Sequence, residues 1–321
     1  MPRDRTLLIG TLCAVGGATL FGMLGPLSRF GAEAGMDGVA FTAWRAALGA
    51  AALALLIGLR GGIATSVDAL RGLGRRGRAS LAVAALMGLT LNVAMFTAFG
   101  RIPIALALML FYTYPAGVVV VDVLLGHERI TPDRLVALGL SSVGVVLVLA
   151  GGMGASAGGA LDALGVLLGL GAAASQVVFV TTSRHGYRSV PADAATLLIL
   201  VTSMAGAAPL AVVVGQVDGL AAPFRSLDPW PVLLVAGVVA AGVSSLMFLT
   251  AIRLIGGTRT GILMLWEPVV GVLLAALWLG EALAPVQLAG GAFVLAGAVV
   301  LQLRSEPELE PVVEAGAGPV I

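Results

Sequence analysis

Residues 103–126 read PIALALMLFYTYPAGVVVVDVLLG, with one charged residue, Asp122, and one internal proline, Pro115. About 20 mostly apolar residues are the length a helix needs to cross the hydrocarbon core of a bilayer. The stretch is therefore predicted to span a membrane. Outward from it, comparable runs occupy 6–29, 37–59, 79–99, 134–151, 161–182, 192–214, 230–252, 258–280 and 286–303. Together they predict an all-α polytopic membrane protein of ten transmembrane helices. A β-barrel is disfavoured, because the runs are continuous instead of alternating in polarity.

Composition agrees. Of 321 residues, 59% are hydrophobic, 11% charged and 5% aromatic, with a mean hydropathy of +1.06; soluble domains carry about 25% charged residues. All 18 basic residues are arginine, which excludes a P-loop lysine and a lysine Schiff base. Cys13 is alone, and His127 and His185 lie far apart, so neither a metal nor a cofactor is expected. A net charge of +1 gives no electrostatic case for nucleic acid.

Arginine placement orients the chain. With the N-terminus in the cytoplasm, only Arg29, Arg101 and Arg225 fall outside, Arg45 lies within a run, and the remaining fourteen are cytoplasmic. That bias predicts cytoplasmic N- and C-termini. Arg3 and Arg5 ahead of an apolar run also fit a signal peptide, but the helices that follow favour an uncleaved first span. Residues 304–321 turn acidic and proline-containing and read as a disordered cytoplasmic tail.

The chain repeats itself. A shift of 153 residues lays Pro115 on Pro268, Glu128 on Glu281, Pro132 on Pro285 and Gly144 on Gly297. The repeats, 6–151 and 161–303, hold five predicted spans each, and an odd number inverts the second half. Inverted repeats are the architecture of secondary transporters, with the substrate site near the midplane where the repeats meet. Pro115 and Pro268 are expected to kink their helices and free the carbonyls of Phe111 and Met264, shaping a cavity or a gate. Thr131-Pro132-Asp133 reads as a helix start, and Glu128 and Glu281 read as caps or anchors at helix ends. Gly165 and Gly169 form a small-xxx-small pair suited to close helix packing.

These residues resemble the EamA-type permeases of the drug/metabolite transporter superfamily over 6–303. The carriers are Phe41-Thr-Ala-Trp44-Arg45, Leu110-Phe-Tyr-Thr-Tyr114-Pro115 and Leu125-Gly-His-Glu128-Arg-Ile-Thr131. Leu263-Met-Leu-Trp-Glu267-Pro268 and Leu279-Gly-Glu281 echo them, and Gly139 to Gly144 and Gly290 to Gly297 close the repeats. The resemblance implies ten helices, cytoplasmic termini, alternating access around a central cavity, and export or exchange of small metabolites, amino acids or drugs, often with protons.

Ionisable groups within the predicted spans are Arg45, Asp122 and Glu267. Each costs about 2.5–3.5 kcal/mol at the bilayer centre and so needs a partner, water or a function. Glu267, directly before Pro268, is the candidate proton-coupling or cation-recognition carboxylate; structural pairing with Arg45 or a freed carbonyl is the alternative. Arg45 can snorkel outward, and Asp122 can meet loop water. Asn92 is the one asparagine in the chain, with Phe96 a turn later on the same face, and its amide needs partners in hydrocarbon. The repeat sets Ser245 opposite Asn92, with Ser244 beside it. Gln176 is a similar mid-span amide. Tyr112, Tyr114 and Trp266 join an apolar body to a polar edge and suit a pocket. The expected substrate site therefore comprises Asn92, Phe96, Tyr112, Tyr114, Gln176, Ser244, Ser245, Trp266 and Glu267, with Pro115 and Pro268 as gating kinks.

Gly154-Ala-Ser156-Ala-Gly158 imitates a nucleophile elbow without the strand–helix context that motif requires. Gly169-x-Gly171-x-x-Ala174 imitates a dinucleotide fingerprint inside a helix. The reading is a non-enzymatic secondary transporter in an inner membrane, monomeric or homodimeric. It exports a small metabolite, an amino acid or related compound, with protons as coupling ion. Lipophilic cationic drugs are the alternative cargo, and a passive channel or an intramembrane enzyme are the remaining alternatives.

Overall fold

The computed structural model describes residues 3–124, 131–155, 162–187, 189–255 and 257–304, which contain helices and no strands. His127, Glu128, Ser156 and the acidic tail beyond Arg304 lie outside the described residues, as do the side chains of Asp122 and His185. The first half carries α1 (Arg3–Gly22), α2 (Leu24–Glu33), α3 (Gly38–Leu59), α4 (Ile63–Arg71), α5 (Arg75–Phe99), α6 (Ile104–Phe111), α7 (Tyr114–Leu124) and α8 (Pro132–Ala155). The second half carries α9 (Ala163–His185), α10 (Ala192–Val213), α11 (Val217–Arg225), α12 (Pro229–Leu234), a π-helical segment (Val235–Val243), α13 (Ser244–Ile255), α14 (Gly257–Met264), α15 (Trp266–Leu279) and α16 (Pro285–Arg304). Among the described residues, seven helices are long and apolar enough to cross a membrane, and three shorter apolar helices cover Leu135–Leu147, Trp266–Leu279 and Pro285–Gly297.

Local chemistry explains where helices start and stop. The Asp37 carboxylate accepts from Ala40 N–H at 3.2 Å, and that of Asp162 from Gly165 N–H at 2.9 Å. Each satisfies a backbone donor that the first turn of a helix leaves open. α8 and α16 open on Pro132 and Pro285, where a missing N–H is harmless.

The two prolines correct an expectation. Pro115 and Pro268 do not bend continuous helices; the chain breaks ahead of them, at Tyr112–Thr113 and at Leu265. The prolines fall in the first turns of α7 and α15, because a proline has no N–H for the carbonyl four residues back and its ring crowds that carbonyl, so the preceding helix ends upstream. Two interruptions have no counterpart in the sequence reading: the break at Met23, ahead of Pro26, and the π-helical segment.

The halves pack reciprocally. α3 lies along α10 and α8 along α16; α1 packs on α13 and α15, as α9 packs on α5, α6 and α7. Residue contacts follow the same rule. A Cβ on Gly144 would sit 2.6 Å from the Gly290 carbonyl oxygen, and one on Gly297 would sit 2.8 Å from that of Ala137. Gly290 stands 153 residues after Ala137, so the two contacts are one contact seen from both halves. Gly165 and Gly169 of α9 do face close neighbours, Ile102 at 2.6 Å and Leu110 at 3.3 Å from an added Cβ.

The two ends of the bundle differ. At the end carrying Arg29, Arg101 and Arg225, the buried core gathers Phe41, Phe96, Phe99, Ile102 and Ile104, with edge-to-face rings Phe41–Phe96 at 5.1 Å and Phe96–Phe99 at 5.9 Å. Glu281 reaches across the halves to accept from Ile104 N–H at 2.9 Å, capping α6, and Arg29 stands 3.8 Å from it while donating to the Ile102 carbonyl at 3.0 Å. Backbones meet here: a Cβ on Gly38 would lie 2.6 Å from the Phe96 backbone. At the opposite, arginine-rich end α10 scarcely touches α13. Val178, the repeat mate of the tightly packed Gly25, is 41% exposed.

Candidate functional site

A cavity of about 390 Å³ lies between the halves at the level of the helix breaks. Such a volume falls in the range of small-molecule sites, roughly 300–1,000 Å³. Its wall takes Gly22 and Gly25 from either side of the Met23 break, Tyr112 and Tyr114 from the α6–α7 break, and Leu265 and Glu267 from the α14–α15 break. Helix breaks thus bring backbone irregularity to the cavity and not to lipid, where unpaired backbone groups are not tolerated. Phe179, Thr196, Phe248 and Gly261 carry the cavity toward the arginine-rich end.

Seven of the nine expected substrate residues line this cavity: Asn92, Phe96, Tyr112, Tyr114, Gln176, Ser245 and Glu267. The structure places the other two elsewhere. Ser244 is fully buried, donating to the Ala240 carbonyl at 2.6 Å and packed beside Gly17. Trp266 is 43% exposed on the outside of the bundle, and its Nε1 donates to Thr19 Oγ1 at 3.2 Å. Both misplacements are geometric. On a helix the residue after a cavity-facing one turns by about 100°, so neighbours of Ser245 and Glu267 look away.

Within the cavity some polar groups are satisfied and others are not. Asn92 Nδ2 donates to the Gly88 carbonyl at 2.7 Å, and its Oδ1 accepts from Arg45 Nη2 at 2.5 Å. Ser245 Oγ donates to the Ala241 carbonyl at 2.6 Å. Gln176 Oε1 and Arg45 Nε are buried without a hydrogen-bond partner. Tyr112 is the polar neighbour of the Glu267 carboxylate. The rings of Phe111, Tyr112 and Tyr114 pack together at 5.3–5.9 Å.

Arg45 is the residue that sequence reasoning missed. It does not snorkel: it is 4% exposed, lines the cavity, and holds its guanidinium 5.0 Å from the Phe96 ring centroid. Nor does it pair with Glu267, since the ion pairs among the described residues are Arg29–Glu281, Arg101–Asp162 and Arg225–Asp218. Its proximity to Asn92, 47 residues away, is a tertiary fact that no local pattern encodes.

These three ion pairs lie at the arginine-poor end, where two helix-capping carboxyls are also tuned. The Gly165 amide and the Arg101 guanidinium hold Asp162 below the usual carboxylate range, while burial pushes Asp37 up against the opposing hydrogen bond from Ala40. Trp44 Nε1 donates to the Leu220 carbonyl at 3.1 Å, fastening α11 over this end.

Comparison with known proteins agrees with the geometry. The model of the EamA-like transporter family matches residues 8–150 and again 163–303. An uncharacterized transporter of Archaeoglobus fulgidus is 27% identical over 231 residues, covering 72% of this chain and 78% of the relative. One crystal structure superimposes with a TM-score of 0.61 at 18% identity, covering 92% of this chain and 97% of the other, which supports the fold alone. Two family matches in tandem, on a chain whose helices are long and apolar enough to cross a bilayer several times, identify a multi-pass membrane protein that belongs to the EamA-like transporter family.

Proposed function

We propose that this protein is a secondary active transporter that exports a small metabolite, an amino acid or related compound, across an inner membrane by proton-coupled alternating access. The observation that carries the reading is the cavity of about 390 Å³ between the two family repeats, tightly packed toward one end and reaching toward the other. The seven long apolar helices and three shorter ones make ten spans, with both termini on the arginine-rich, cytoplasmic side. The reciprocal Gly144 and Gly297 contacts support an inverted relation between the halves.

Glu267 serves as the coupling carboxylate. It takes either a proton or a cationic group of the substrate, so binding one releases the other. Among the described residues, the other charged or titratable groups on the cavity wall are Arg45, Tyr112 and Tyr114. An aromatic wall of Phe111, Tyr112 and Tyr114 beside a carboxylate also suits lipophilic cations, which form the second reading.

Proteoliposomes with an imposed pH gradient test the coupling. Substrate flux through the wild type is expected to follow the gradient, and flux through Glu267→Gln to lose that dependence. Equal rates and equal pH dependence in both proteins would remove Glu267 from the mechanism.

A further inference from the structure

Among the described residues, the cavity wall contains one fixed cation, Arg45, and one carboxylate, Glu267, that do not pair with each other. Arg45 is buried, its one hydrogen-bonded partner is the neutral Asn92 amide, and its Nε has none. A guanidinium presents a planar fork of N–H donors that fits a carboxylate two-pronged. Asn92 holds that fork in place by accepting from Nη2, while its own Nδ2 is tied to the Gly88 carbonyl. The remaining orphan on the wall among the described residues, Gln176 Oε1, is an acceptor and takes an N–H. Glu267 lines the same cavity, with Tyr112 as its polar neighbour.

We infer that Arg45, positioned by Asn92, is the carboxylate-recognising residue of the substrate site, and that the site takes an amino-acid zwitterion with its ammonium toward Glu267. The inference rests on the transport reading and sharpens it. A lipophilic cation would satisfy Glu267 and leave Arg45 buried and uncompensated; an anion would do the reverse. A zwitterion satisfies both charges and adds no net charge to the cavity. The Arg45 position also explains the Phe96 ring, which supports the guanidinium from one face at 5.0 Å.

The test is substrate counterflow in proteoliposomes. The panel holds the twenty common amino acids and, for the one giving the strongest signal, its methyl ester and its deaminated acid. The amino acid is expected to half-saturate at a concentration about tenfold below that of either analogue, the scale of a hydrogen bond to a charged group. Arg45→Gln should weaken the amino acid to the level of the ester and leave the ester unchanged. Asn92→Asp should act likewise, because it supplies Arg45 with a carboxylate of its own. It keeps the shape and the hydrogen bond to Arg45, so it decides the matter should Arg45→Gln fail to fold. Equal loss for amino acid and ester, or no loss in Asn92→Asp, overturns the assignment. Saturable counterflow of the ester or of a cationic dye, but of no amino acid, overturns the zwitterion while leaving transport standing. Saturable counterflow of nothing in the panel counts against transport itself.

Discussion

Single atoms decide how closely the halves meet, and Gly144 shows the scale of it. A methyl group there would lie 2.6 Å from the Gly290 carbonyl oxygen and 2.7 Å from Val294 Cγ2. Neither the backbone nor a packed β-branched side chain yields easily. Gly144→Ala is therefore expected to lower stability by about 1–3 kcal/mol, read as a depressed midpoint in thermal unfolding of detergent-purified protein. Gly139, five residues earlier on the same helix, has nothing within 4 Å of an added Cβ. Gly139→Ala should be neutral or stabilising by about 0.5–1 kcal/mol, since alanine loses less backbone freedom in a helix. The same scale separates Arg45 from Asn92. The sequence shows that both are unusual inside an apolar helix; only the fold shows that one holds the other.

Helices set the next scale, and their breaks make the site. α6–α7 and α14–α15 are each one apolar run in sequence but two helices in space, interrupted at Tyr112–Thr113 and Leu265. Pro115 and Pro268 announce the interruptions without locating them, because each withholds an N–H from the carbonyl four residues back and crowds that carbonyl, so the break falls upstream of the proline. Replacing Pro268 with alanine lifts both constraints and allows α14 and α15 to join. Pro268→Ala is expected to slow transport several-fold while the thermal midpoint holds or rises; a faster transporter would count against a role for the break. Periodicity and hydropathy made the long helices, the repeat and the polar part of the cavity wall legible, since Asn92, Gln176 and Glu267 stand out against an apolar background. The π-helical segment at Val235–Val243 was not legible, because nothing in VAGVVAAGV distinguishes it from its regular mate in α5. Ser244 and Trp266 were misplaced for a related reason: residue type marks the right neighbourhood, and helical phase decides who faces inward.

At the scale of the whole molecule, two reciprocal halves do not make two equal ends. Glu281 capping α6, the Arg101–Asp162 pair at 2.9 Å and the Phe41–Phe96–Phe99 rings close the arginine-poor end, while Val178, the repeat mate of the Gly25 that packs there on Ile104, is exposed. Reciprocal repeats admit the opposite arrangement at similar energy, which is the physical basis of alternating access. The measurement that tests this most directly is a reversible covalent lock on the closed end. A Cβ on Gly25 would lie 2.8 Å from Ile104 Cγ2, so cysteines at Gly25 and Ile104, in a chain with Cys13 replaced by alanine, bring two thiols together there. With the pair oxidised, counterflow is expected to fall to the level of empty liposomes and to return on reduction. Undiminished counterflow through the oxidised protein would contradict the account, because substrate would then be crossing without that end ever opening.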